Sequence, residues 1–256
     1  MFFDLDPSLI IILFLFGFLA AFIDSVVGGG GLISLPALMF TGLSPSAAVA
    51  TNKLAGTMGS LTSTITFYRS GNIDFKSIAK IFPFVFLAAM FGAWVVHLMD
   101  PNVLKPLMLF MLAAVAVYTL IKKDWGSIST YKKLTTKKYI GFIILVAAIG
   151  FYDGFLGPGT GSFLMFAFLM IGFDFLKAAG NAKFLNFASN IGALIMFLFL
   201  GQINFAYGLT MGVAQIIGAI CGSKFAISRG SGYVRILFIV VTVILLAKNA
   251  YDYFNN

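Results

Sequence analysis

Phe22-Ile-Asp24-Ser-Val-Val-Gly28-Gly29-Gly30-Gly31 and Phe151-Tyr-Asp153-Gly-Phe-Leu-Gly157-Pro158-Gly159-Thr160-Gly161 are two versions of one pattern. Each sets an aromatic residue, a lone aspartate and a glycine tract inside an apolar stretch. The correspondence runs on downstream. Asn52-Lys53 matches Ala182-Lys183, Gly71-Asn-Ile73-Asp-Phe75 matches Gly201-Gln-Ile203-Asn-Phe205, and Gly92 matches Gly222. The aspartates are 129 residues apart, whereas the lysines and the later glycines are 130 apart, which places a one-residue insertion near Thr160. A duplicated membrane segment with charges and broken backbone at matched points is a common transporter plan.

Composition supports a membrane setting. Of 256 residues, 60% are hydrophobic and 10% charged, against about 25% charged in a soluble domain. Only helices and closed barrels satisfy their backbone in lipid. The apolar runs are about 20 residues long without alternation, the helical signature. The first run, from about Ser8 to Val27, follows Asp4 and Asp6 rather than basic residues and leads into glycines, so it reads as a retained span and not a signal peptide. The net charge of +8 would suggest nucleic acid in a soluble protein. Here the basic residues sit in short loops and set topology instead, so no nucleic-acid partner is expected. Cys221 is the single cysteine and His97 the single histidine, which excludes a metal site built from several of either. No cofactor is expected.

Each half divides into five segments. The first holds A1 (about 8–27), a short B1 (32–41), C1 (44–70), D1 (76–98) and E1 (102–121). The second holds A2 (139–156), a short B2 (162–172), C2 (174–200), D2 (204–226) and E2 (232–250). Residues 1–121 are thus a first transmembrane repeat, 122–138 a basic linker and 139–256 a second repeat. Six linker lysines against one acid place the linker in the cytoplasm. Five segments is an odd number, so the halves have opposite orientation and both termini lie outside. Arg69, Lys76, Lys80, the six linker lysines, Lys177, Lys224, Arg229 and Arg235 then fall on the cytoplasmic side, and only Lys105 and Lys248 outside. The fold class expected is all-α: a polytopic helical membrane protein of two inverted-topology repeats with glycine-rich broken or re-entrant helices. A1 is long enough to cross fully, so a re-entrant hairpin and a crossing helix with a broken return both remain open.

Lys53 and Lys183 each lie nine residues into their C segment. At about 1.5 Å rise per residue that is about 14 Å deep, near the centre of a core about 30 Å thick. Lys53, Thr57, Ser60 and Thr64 share one face of C1, and Lys183, Asn186 and Asn190 one face of C2, so both stripes point to a bundle interior. The tracts Gly28–Gly31 and Gly157–Gly161 cannot be comfortable helix. Unwound backbone at this depth is tolerated only inside protein or along a watery cavity. Each tract feeds the start of a short helix, whose free N–H groups and dipole favour an anion.

The candidate site therefore comprises Gly28, Gly29, Gly30, Gly31, Gly157, Gly159 and Gly161, with hydroxyls of Ser34, Thr160 and Ser162. Asn52, Lys53, Thr57, Lys183, Asn186 and Asn190 flank them. The lysines either supply charge to an anion or form structural ion pairs with Asp24 or Asp153. Those aspartates brace the unwound turns, pair with lysine or relay protons. No catalytic residue is expected: there is no His-Glu-x-x-His and no Gly-x-Gly-Asp. The partners implied are the lipid bilayer and a small anion, with oligomeric state open.

With Asp24-Ser-Val-Val-Gly-Gly-Gly-Gly-Leu32, Ala50-Thr-Asn-Lys53-Leu54 and Gly150-Phe-Tyr-Asp-Gly-Phe-Leu-Gly-Pro-Gly-Thr-Gly-Ser162, the chain resembles the TSUP family of TauE/SafE-type sulfite exporters, and its YfcA-like branch in particular. The resemblance covers nearly the whole chain. It implies a multi-pass protein of the bacterial inner membrane that moves sulfur-containing or organic anions such as sulfite, sulfonates or sulfoacetate. A secondary transporter, with proton coupling, is the leading reading, and an anion channel the alternative.

The charge bias predicts a labelling pattern. In a Cys221→Ser background, Thr130→Cys should react with an impermeant thiol reagent only after cells are opened, and Phe3→Cys in intact cells. The reverse pattern would overturn the inverted topology.

Overall fold

The computed structural model describes residues 7–100, 102–103, 131 and 134–255, with 231–255 as backbone. Segment E1, most of the linker, and Asp4 and Asp6 lie outside the described residues. Among the described residues every regular element is helical. Helices α1 (Pro7–Val27), α2 (Gly31–Met39), α3 (Pro45–Arg69) and α4 (Phe75–Ile78) are followed by a 3-10 turn (Ala79–Ile81) and α5 (Phe82–His97). The second half holds α6 (Thr136–Phe155), α7 (Thr160–Met170), α8 (Phe175–Phe199) and α9 (Phe205–Asn255). α9 is broken at Gly230, where φ is 74°. The chain is a polytopic helical membrane protein. Among the described residues five helices are long and apolar enough to cross a bilayer: Pro7–Val27, Phe75–His97, Thr136–Phe155, Phe175–Phe199 and Phe205–Gly230.

Local chemistry sets the boundaries. α3 opens on Ser44, whose Oγ accepts from the Ala47 amide at 3.4 Å, with Pro45 in the first turn. α8 opens at the corresponding point on Asp174, whose carboxylate accepts from the Lys177 amide at 2.9 Å. α1 stops at Val27 because Gly28 and Gly29 take φ of 80° and 89°, a left-handed conformation that only glycine holds without strain. Gly157 and Gly159, at 92° and 79°, end α6 in the same way. The breaks span only residues 28–30 and 156–159, since Gly31 and Gly161 already belong to the helices that follow. By length, α1 and α6 can cross a membrane, whereas α2 and α7, with 9 and 11 residues, reach about half of one. That fits a crossing helix with a short broken return better than a re-entrant hairpin.

The halves do not sit side by side. α1 packs along α9, α9 along α3, α5 along both α6 and α8, and α3 against α8. Each of these contacts joins the two halves of the sequence. α3 is long enough to span yet is not among the five apolar helices, because Thr51, Asn52, Lys53, Thr57, Ser60, Ser63 and Thr64 are buried on it. It lies at the centre, where protein replaces lipid. Backbone amides of the loops after α3 and α8 bond to the opposite half: the Asp74 amide donates to Asn181 Oδ1 at 2.8 Å, and the Asn204 amide to Thr51 Oγ1 at 3.0 Å.

The flanking helix pairs touch backbone to backbone through glycine. Gly218 and Gly222 of α9 lie against the Phe18 and Phe22 carbonyls of α1. Gly92 of α5 lies against the Phe151 carbonyl of α6, and Gly154 of α6 against the Ala89 carbonyl of α5. Small residues of this kind let membrane helices approach closely. Gly222→Leu and Gly92→Leu should each cost at least about 1–3 kcal/mol by overpacking, seen as a lower melting point in detergent. Gly141→Ala, where nothing lies within 4 Å, should add about 0.5–1 kcal/mol. Equal melting points for Gly222→Leu and the wild type would remove the packing argument.

Candidate functional site

Where α3 and α8 cross, the two glycine tracts meet. A Cβ at Gly28 would run into the Ser162 amide nitrogen, and one at Gly31 would lie 3.3 Å from Pro158 Cα. Only glycine permits this approach. Around the contact lies an open cavity, with about 430 Å³ of empty space when the solvent at its mouth is counted. Its walls carry Asp24, Gly29, Gly30, Gly31, Ser34, Asn52, Lys53, Asp153, Gly157, Gly159, Thr160, Gly161, Asn186 and Asn190. Gly28, Thr57, Ser162 and Lys183 stand just behind the wall.

Both lysines are buried, among the largest fully buried side chains of the described residues. Each is paired with the aspartate of the other half. Lys53 Nζ donates to Asp153 Oδ1 at 2.8 Å, and Lys183 Nζ to Asp24 Oδ2 at 2.5 Å. A charge at the bilayer centre costs about 2.5–3.5 kcal/mol on insertion scales, and a partner at contact distance offsets that cost. The pairs are unequal. Asp24 is 21% exposed and its second oxygen accepts from the Gly30 amide at 3.1 Å. Asp153 is 3% exposed and its Oδ2 has no partner, nor has the buried Oδ1 of Asn52.

The glycines also make room for these pairs. A Cβ at Gly157 would lie 2.8 Å from Lys53 Nζ, and one at Gly161 would lie 3.0 Å from Asp24 Oδ1 and 3.3 Å from Lys183 Nζ. The hydroxyls expected to face a ligand are turned to backbone instead. Ser34 Oγ donates to the Gly30 carbonyl, Thr160 Oγ1 to Gly157, Ser162 Oγ to Val27, and Thr57 Oγ1 to Lys53. The Gly30 and Gly157 carbonyls already accept backbone amides, from Ile33 and Ser34 and from Thr160, so the Ser34 and Thr160 hydroxyls add a second bond within a turn of their own helix start. Primary amides also line the cavity: Asn52, Asn186, Asn190 and Gln215.

Gln215, Gly56, Ala20 and Ala21 line the cavity without having been singled out in the sequence. Gln215 is a polar residue in an apolar run and lies seven residues after Gly208, on the α9 face that packs on α3. That was a usable signal. It is missed by the comparison of halves because Val85 stands at the matched position. Gly56 makes room for Asn190, whose Oδ1 would lie 2.8 Å from a Cβ there.

A family model described as Sulfite exporter TauE/SafE matches residues 13–249. The chain belongs to the TauE/SafE family. Membership makes it a membrane transporter and not an enzyme. This TauE/SafE protein is 39% identical over 246 residues to a probable membrane transporter protein, ORF9, from Sinorhizobium sp., covering 96% of this chain and 94% of that one. It is 37% identical to a probable membrane transporter protein of Haemophilus influenzae, over 97% of both chains. The probable membrane transporter protein YfcA of Escherichia coli K12 is 36% identical, over 98% of this chain and 93% of its own. No solved structure matches.

The crossed pairing makes a stability prediction for the TauE/SafE protein. Lys53→Met alone strands Asp153 and should cost about 3–5 kcal/mol. Adding Asp153→Asn should restore the melting point, whereas adding Asp24→Asn should not, because Asp24 serves Lys183. Rescue by the same-half pair Lys53→Met with Asp24→Asn would refute the pairing.

Proposed function

We propose that this transporter is a secondary carrier of a small oxyanion, of the sulfite, sulfonate or sulfoacetate kind, which sits between the two glycine tracts. The observation that carries the reading is the cavity at the crossing of α3 and α8, with a buried lysine–aspartate pair from each direction at its wall. N–H groups at the starts of α2 and α7 and the amides of Asn52, Asn186, Asn190 and Gln215 supply donors suited to oxygen ligands. Lys53 and Lys183 supply charge, and Asp24 and Asp153 brace the unwound turns or titrate. The family's description as sulfite exporters supports a sulfur oxyanion.

The duplicated pattern supports two inverted repeats that expose the cavity to each side in turn, in a bacterial inner membrane and driven by the proton gradient. Thermal melting of purified protein against sulfite, sulfoacetate, taurine and thiosulfate tests the site. At about 100 times Kd a true ligand adds about 2.7 kcal/mol of stability, so the melting point should rise with at least one. Asn186→Leu and Asn190→Leu should abolish the rise while the protein stays folded. Saturable exchange of the labelled ligand in proteoliposomes should follow. Graded single-channel current without saturable exchange would replace the carrier with a channel.

A further inference from the structure

Asp24 occupies the place that an oxyanion would need. Its carboxylate bridges two donors, with Oδ2 on Lys183 Nζ at 2.5 Å and Oδ1 on the Gly30 amide at 3.1 Å, at the start of α2. Gly161 keeps the space over this bridge clear, since a Cβ there would come within 3.0 Å of Oδ1. Asp24 stands in the cavity wall and is 21% exposed, with Lys183 behind it at 2%, whereas Lys53 and Asp153 in the same wall are 1% and 3% exposed. Two buried acceptors in the same wall, Asn52 Oδ1 and Asp153 Oδ2, lack any donor, so the cavity as it stands is short of the hydrogens that a ligand or proton would bring.

The charges add a second constraint. Lys53, Lys183, Asp24 and Asp153 sum to zero, so a bare anion entering this cavity meets no net positive charge. Against Asp24 itself, α8 brings Lys183, α2 and α7 bring backbone and Gly161, and α3 and α6 bring Lys53 and Asp153 already joined to each other. α9, packed along α1, brings the uncharged Gln215.

We propose that Asp24 is a tethered competitor for the substrate, and that each monoanion displaces it by binding together with one proton. This rests on the anion-carrier reading above and specifies its coupling. The proton comes from water and bonds to a carboxylate oxygen of Asp24, whose ion pair with Lys183 breaks. One anion oxygen then takes the Lys183 N–H and another the Gly30 N–H. No covalent bond of the substrate changes, and the incoming proton cancels the incoming negative charge. A ligand that spans both donors has two oxygens on one atom, as a carboxylate, a sulfonate or hydrogen sulfite does. A halide offers only one contact point.

Titration calorimetry on the detergent-purified protein decides it, with methanesulfonate and acetate as probes because neither changes charge between about pH 6 and about pH 8.5. In buffers of different ionisation enthalpy, the wild type should take up one proton per anion bound. Its affinity should fall about tenfold per pH unit as pH rises, because the unliganded state holds one proton fewer. Asp24→Asn should bind the same probes more tightly, with no proton uptake and no pH slope, and chloride should compete weakly with either protein. Wild-type binding without proton uptake, or an unchanged slope in Asp24→Asn, overturns the tethered competitor and leaves the carrier reading standing. If the wild type binds neither probe nor sulfite, the carrier reading fails and this one with it. Should Asp24→Asn not fold, proton uptake by the wild type alone gives the answer.

Discussion

Charge compensation between the two halves governs the interior of this protein. Lys53 and Lys183 lie fully buried among helices whose other faces are apolar, and neither would be tolerated alone at that depth. Their partners stand at the ends of α1 and α6, beside the glycine breaks, and each belongs to the opposite half. Crossed pairing brings α3 against α8 and draws the end of α6 to α3 and the end of α1 to α8. It also explains why α3 can carry seven buried polar residues at the heart of a lipid-soluble protein. Once the lysines are neutralised, the surrounding stripe of hydroxyls and amides has protein, not hydrocarbon, around it.

The glycine tracts serve two ends at once. Their left-handed residues stop α1 and α6 and turn the chain into the short helices α2 and α7. Their missing side chains let one tract lie against the other and leave room for the ion pairs. The hydroxyls of Ser34, Thr160 and Ser162 donate to backbone carbonyls at the breaks, Ser162 across to Val27 of the other half. The polar wall left for a ligand is therefore made of amides and N–H groups. That wall suits oxygen acceptors. Because the cavity is electrically balanced, any charged visitor has to rearrange the pairs that hold the halves together, which is how binding at the centre can be felt by both halves.

Several features were legible in the residues themselves. Helical class follows from apolar runs of bilayer length, and the breaks from glycine and proline, which no helix interior favours. Helix bounds agree to within about three residues at most ends, because capping residues such as Ser44 and Asp174 act locally. The inward-facing stripes of α3 and α8 were readable from 3.6-residue periodicity, and both are buried. That the hydroxyls of Ser34, Thr160 and Ser162 donate to backbone was not legible, since sequence shows a hydroxyl's presence but not which carbonyl lies within its reach.

The sequence by itself determined the membrane-embedded helical class, the duplicated pattern and the membership of lysine, aspartate and glycine in one central cluster, because these depend on composition, spacing and local propensity. The tertiary structure alone decided which aspartate neutralises which lysine, that the halves interlock, and that Gln215 reaches the cavity. Those outcomes depend on how helices far apart in the chain cross. Ion pairing is set by distance in space, which falls off over a few ångströms and carries no record of separation along the chain.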